Sequence, residues 1–113
     1  MREPTFLILT ALAGPPLHGY GIMRQVEALS DGRVKLGAGT LYTALDRLTA
    51  EGLATVDHEE RVDGRVRRYY RLTEPGGAAL HERAAQLQRT AAAAAERLTD
   101  WGRRRLSTDP RPA

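Results

Sequence analysis

Gly37-Ala38-Gly39-Thr40-Leu41-Tyr42-Thr43-Ala44-Leu45-Asp46-Arg47-Leu48-Thr49-Ala50-Glu51-Gly52-Leu53 decides the fold. On a helical wheel Leu41, Leu45 and Leu48 share one face, at the i, i+4, i+7 spacing of a buried stripe, and Ala44 widens it. Thr40, Thr43 and Arg47 point the other way, with Tyr42 on the flank. That outer face carries hydroxyls and a guanidinium, not the Glu/Lys mixture of an ordinary solvated helix. Gly52 stops the helix and Leu53 starts a new element. The pattern predicts a short helix over 39–51 whose outer side is shaped for a partner.

Upstream, residues 3–13 read as a helix that is apolar on most sides, ended by Gly14-Pro15-Pro16. A second helix is predicted over 19–29 with Ile22, Met23, Val26 and Leu29 inward. Downstream, residues 53–62 and 66–72 read as strands joined at Asp63-Gly64. That dipeptide favours a type I′ hairpin turn. A two-residue turn pairs Val62 with Arg65, Glu60 with Arg67 and Glu59 with Arg68, and the last two are opposite-charge pairs. One of Tyr69 and Tyr70 then faces the core and the other solvent.

From Thr73, a good cap, to Leu106 the chain reads as one long helix. Leu80, Ala84, Leu87, Ala91, Ala94, Leu98 and Trp101 repeat at spacings of four and three, the seam of a two-helix interface. A domain this small has no internal use for such a seam, so the sequence predicts a homodimer. The expected organisation is mainly α with a two-stranded β wing: a winged helix-turn-helix over 1–73, a dimerisation helix over 74–106 and a disordered tail over 107–113.

The chain has 113 residues, a net charge of +3 and no cysteine, which excludes disulfides, a thiolate nucleophile and a zinc finger. Residues 1–56 carry four Arg and one Lys against five acids. Residues 57–113 carry twelve Arg against nine acids, the whole excess. Arg65, Arg67, Arg68 and Arg71 lie in an acid-free run, a local footprint for a polyanion. Arg103–Arg105 fit the end of a helix. The apolar run from Phe6 to Ala13 is too short to span a bilayer and lacks the marks of a secretory signal, so a cytoplasmic protein is expected. His18, His58 and His81 lie in separate elements, and Glu59 and Glu60 point to opposite strand faces. Neither a metal site, a cofactor nor catalytic residues are expected.

Three blocks carry a family resemblance: His18-Gly19-Tyr20-Gly21-Ile22; Gly39-Thr40-Leu41-Tyr42 with Leu45, Leu48 and Glu51-Gly52-Leu53; and Gly64-Arg65 with Arg67-Arg68-Tyr69-Tyr70-Arg71-Leu72-Thr73 and Gly76. In this order the chain resembles the PadR family of bacterial regulators, in its smaller subfamily with a single C-terminal helix. The resemblance implies a homodimeric transcription factor, usually a repressor released by a ligand, with a recognition helix carrying Tyr42 and an Arg-rich wing. Thr43 stands where the family commonly has Pro, and Asp46 precedes Arg47 where both are often basic.

The expected DNA contacts are Lys35, Thr40, Tyr42, Thr43, Arg47, Arg65 and Arg67, on a palindromic operator with half-sites about 34 Å apart. Thr43 and Arg47 are the base-edge candidates, Arg47 through guanine O6 and N7. Lys35 is assigned to phosphate; Thr40 serves equally as phosphate contact or helix cap. Arg65 and Arg67 reach the minor groove or backbone from the wing, while Arg68 and Arg71 are free to serve the fold. Trp101 either anchors the dimer or stacks a small aromatic effector between subunits. Two other functions fit the residues: a winged-helix module that binds protein, and a small-molecule sensor that does not touch DNA.

Overall fold

The computed structural model describes residues 1–107. Six elements follow in order: α1 (Glu3–Leu12), α2 (Gly19–Leu29), α3 (Ala38–Ala50), β1 (Ala54–Val62), β2 (Arg65–Leu72) and α4 (Glu74–Ser107). All six fall where the sequence patterns put them, within a residue or so at each end. Ser107, the first residue assigned to the tail, ends α4; residues 108–113 of that assignment lie outside the described residues.

The chain divides into two compact units, one of residues Met1–Arg83 and one beginning at Ala84. The first unit takes in the opening turns of α4. Its core joins Leu7, Ile8, Leu9 and Leu12 of α1, Ile22 and Val26 of α2, Leu41, Leu45 and Leu48 of α3, and Ala54 and Tyr70 of the hairpin. The three leucines of α3 are wholly buried, as the wheel requires. Leu29, predicted inward, is instead 45% exposed. The helix ends there, and Ser30 takes the buried place. Its Oγ accepts a hydrogen bond from the Val34 amide at 3.0 Å and so anchors the turn into α3. Asp31 and Gly32, both at positive φ, complete that turn.

The hairpin turns at Asp63 and Gly64, with φ of 50° and 76°, the two left-handed positions a type I′ turn needs. Val62 faces Arg65, Glu60 faces Arg67 and Glu59 faces Arg68, the predicted register. The register set by the turn carries on to His58 opposite Tyr69; a bulge between Val56 and His58 then leaves Asp57 without a strand partner and sets Val56 opposite Tyr70. Leu17, just before α2, adds a short third rung: its amide donates to the Tyr70 carbonyl at 3.1 Å and Tyr70 returns the bond at 2.8 Å. That rung pulls Tyr70 into the core, so Tyr70 is the inward member of the tyrosine pair.

Thr73 caps α4. Its Oγ1 accepts from the Gly76 amide at 3.0 Å and donates to the Gly52 carbonyl at 2.6 Å. Gly76 is buried against the Leu53 carbonyl, with no room for a Cβ. The end of α3 and the start of α4 are thus held together by Gly52, Leu53, Thr73 and Gly76. Leu80 packs half-buried on the core of the first unit. In the second unit, Leu87, Leu98 and Trp101 are exposed on the single chain at 39%, 62% and 49%. Ala91 and Ala94 are exposed on the same seam, and Ala84 is half-buried. Among the described residues, no helix is long and apolar enough to cross a membrane.

Candidate nucleic-acid interface

α3 presents its outer residues to solvent: Thr40, Tyr42, Thr43, Asp46 and Arg47 are all exposed. No side chain caps its start at Gly37, so the hydroxyl of Thr40 is not used as a cap and the first amides of α3 remain open to a ligand. The structure divides these residues between two grooves.

On one edge, Thr40, Thr43 and Arg47 line a groove of about 640 Å³ whose other wall is the first turn of α1. The Arg47 guanidinium donates through Nη2 to Thr5 Oγ1 at 3.1 Å. On the other edge, Tyr42 and Asp46 line a cleft of about 570 Å³ shared with the start of α2 and with Arg67 and Arg68 of β2. Tyr42 leans over Gly19, where any Cβ would collide with its hydroxyl. This close approach gives a packing reason for the His18-Gly19-Tyr20 block. Asp46 has no ion pair with Arg47 among the described residues, so its carboxylate is available on the wing side.

The wing sorts its arginines by charge. Arg68 pairs with Glu59 and Arg71 with Asp57, each at 3.4 Å. Glu60 faces Arg67 in register but pairs instead with His58 Nε2 at 3.4 Å, which corrects the expected Glu60–Arg67 ion pair. Glu60 and His58 are two residues apart in β1 and share its face, so the imidazole is the nearer partner. Among the described residues Arg65 and Arg67 have no acidic partner, and both line the hollow at the wing tip. The acids of β1 thus neutralise the base of the wing and leave its tip positive. Lys35 stands before α3 and reaches Glu27 of α2 at 3.9 Å, a loose exposed pair.

Residues with no assigned role in the sequence also face this surface. His18 caps α2, its Nδ1 accepting from the Gly21 amide at 3.4 Å. Tyr20 is 62% exposed, with the Arg24 guanidinium 5.8 Å from its ring centre. Tyr69 sits between two imidazoles, edge-on to His18 at 5.2 Å and stacked on His58 at 4.5 Å. The sequence held the cue: the two-residue turn that pairs Glu59 with Arg68 also sets His58 opposite Tyr69.

The hydrogen bond from the His58 ring to the Asp57 carboxylate at 2.6 Å, and with it the one to Glu60, raises the pKa of His58 above its ordinary value. A raised folded-state pKa means that the His58 contacts stabilise fully below the unfolded-state value and are lost as pH rises through the folded one. Relative to a His58→Gln variant, the parent is expected to lose thermal stability as pH rises from the ordinary histidine value upward, by a small margin because the pair is exposed. Melting curves of both proteins across that range check it; parallel curves would remove His58 from the account.

Among the described residues, no group of His, Asp and Glu side chains could hold a metal ion. The two-groove helix, the short helix ahead of it and the tip-positive hairpin define a winged helix-turn-helix of the kind that presents a helix and a wing to a duplex. The chain belongs to the transcriptional regulator PadR-like family, whose model matches residues 8–82, and that family consists of regulators of transcription rather than enzymes. It is 43% identical over 75 residues to the transcriptional regulator Rv3488 of Mycobacterium tuberculosis, an alignment covering 66% of each chain. Two other curated relatives extend well beyond it: the chain spans 22% and 40% of their lengths. Among solved structures, a PadR family regulator of Clostridium difficile superposes with a TM-score of 0.71 at 23% identity, covering 86% of this chain and 99% of that one, a likeness of fold. Bacillus subtilis PadR, solved in complex with operator DNA, gives a TM-score of 0.64 at 26% identity over 72% of this chain and 47% of that one.

Proposed function

We propose that this chain is a cytoplasmic repressor that binds a palindromic DNA operator as a homodimer, α3 entering the major groove and the tip of the wing lying along the flanking backbone. The observation that carries the reading is the row of Thr40, Thr43 and Arg47 exposed along one edge of α3, together with a wing whose Arg65 and Arg67 have no acidic partner among the described residues. The Bacillus subtilis relative, solved on operator DNA, supports it. In this reading Thr43 and Arg47 read base edges. Thr40, Tyr42, Lys35, Arg65 and Arg67 hold phosphate. The seam of Leu80, Ala84, Leu87, Ala91, Ala94, Leu98 and Trp101 joins two copies and sets the spacing of their reading helices. Trp101 anchors that seam and carries Arg105 over its ring at 4.8 Å. A small aromatic effector at the dimer interface releases operator by binding the released spacing more tightly.

Selection of bound fragments from random DNA at fixed salt tests this: a palindrome with half-sites about one helical turn apart is the expected product. Recovery of no preferred sequence would refute it. Arg47→Ala is expected to cost about 1–3 kcal/mol and to relax preference at one base pair. Equal losses on selected and random fragments would deny Arg47 a base. Arg67→Ala is expected to weaken all sequences alike and to reduce the salt slope by about one. Titrations at several salt concentrations check it.

A further inference from the structure

We infer that Thr5, in the first turn of α1, positions Arg47 for base reading, so that α1 forms part of the reading surface. This rests on the proposal that Arg47 reads a base.

Thr5 and Arg47 lie 42 positions apart in sequence and meet through a hydrogen bond of 3.1 Å from Arg47 Nη2 to Thr5 Oγ1. Arg47 has a more ordinary neighbour in Glu51, one turn further along α3. The two line the same hollow below the groove, yet form no ion pair among the described residues. An Arg four residues before a Glu is the weaker helical order for such a pair. The guanidinium instead crosses to α1 and is held along the edge of α3 that carries Thr40 and Thr43.

Thr5 suits this role by place and by type. Thr10, deeper in α1, turns its hydroxyl back to the Phe6 carbonyl at 2.7 Å, the usual habit of a helical threonine. The residue four places behind Thr5 is Met1, which lies ahead of the helix, and the Thr5 oxygen accepts from Arg47 instead. Its branched Cβ restricts the rotamer and so fixes where the acceptor stands. A free arginine samples many rotamers, and confining it beforehand lowers the ordering cost when a base edge is met. Arg2 lines the same groove and adds positive charge beside the confined side chain.

The test measures discrimination between the selected operator and its single base-pair variants, at one salt concentration, for the full chain. Thr5→Val keeps size and branching but removes the acceptor. It is expected to lower discrimination about three- to tenfold at the base pair that Arg47→Ala affects. Thr5→Ala, which cannot strain the helix, is expected to give the same loss. Thr5→Ser is expected to retain parental discrimination, and all three to retain the parental salt slope. Parental discrimination in the Val and Ala variants, with Arg47→Ala impaired, would overturn the positioning role. A uniform loss across all base pairs would overturn it too, marking Thr5 as merely structural. An unimpaired Arg47→Ala would instead overturn the base-reading proposal beneath it.

Discussion

Leu87→Asp is expected to give a folded monomer that has lost most of its operator affinity. Leu87 is 39% exposed on the single chain, at the middle of the seam, so a carboxylate there costs the lone helix little. In a dimer joined by the seam the same position is covered by the partner helix, and a desolvated carboxylate there has no counter-charge. Without the partner, the second half-site must be bound as a separate event. The effective concentration that linkage supplies is worth about 10²–10⁴ in affinity. Sedimentation and titration with a palindromic fragment check both halves of the expectation. A monomer that binds as tightly as the parent would end the idea that the seam couples two reading helices. A dimer that survives Leu87→Asp would remove the seam from the interface.

Gly76→Ala is expected to damage the fold more than any single exposed change. The added methyl would overlap the Leu53 carbonyl and stand 3.0 Å from Leu72 Cδ1. Backbone cannot swing aside as the end of a flexible side chain can. The start of α4 must therefore shift, and with it the Thr73 bonds to Gly52 and Gly76. Overpacking of this kind sits at the upper end of its usual range, about 3 kcal/mol or more. In a domain of this size that lowers the melting temperature by about 12 °C or more. Gly77→Ala is the control, since a Cβ there meets only Leu72 Cδ2 at 3.8 Å. Equal stability of the two variants would show that the Leu53 contact yields easily.

The elements were legible because each announces its own period. The leucine stripe of α3, the Asp-Gly turn and the cap at Thr73 are local signals, and local geometry decided them. Even the register near the wing tip followed from a two-residue turn. What stayed hidden depends on pairs distant in sequence. Nothing near Leu29 says that Ser30 claims its place in the core. Nothing in β1 marks Asp57 as the residue to be looped out, since Val56, Asp57 and His58 read as an unbroken strand. The candidate site was legible as a set of residues and illegible as a surface. Thr40, Tyr42, Thr43 and Arg47 all point outward by wheel geometry, yet the wheel cannot show that α1 walls one edge and β2 the other. The bond between Arg47 and Thr5 spans two helices, and periodicity carries no information across that gap.

The division of α3 into two edges bears on how such a regulator diversifies. Thr40, Thr43 and Arg47 line one of the two grooves described, and Tyr42 and Asp46 the other. On the proposed reading, a lineage can exchange residues along the α1 edge and acquire a new target without disturbing the side that leans on Gly19 and the wing. Duplicated copies are then free to part company in what they recognise while inheriting an unchanged hold on the double helix.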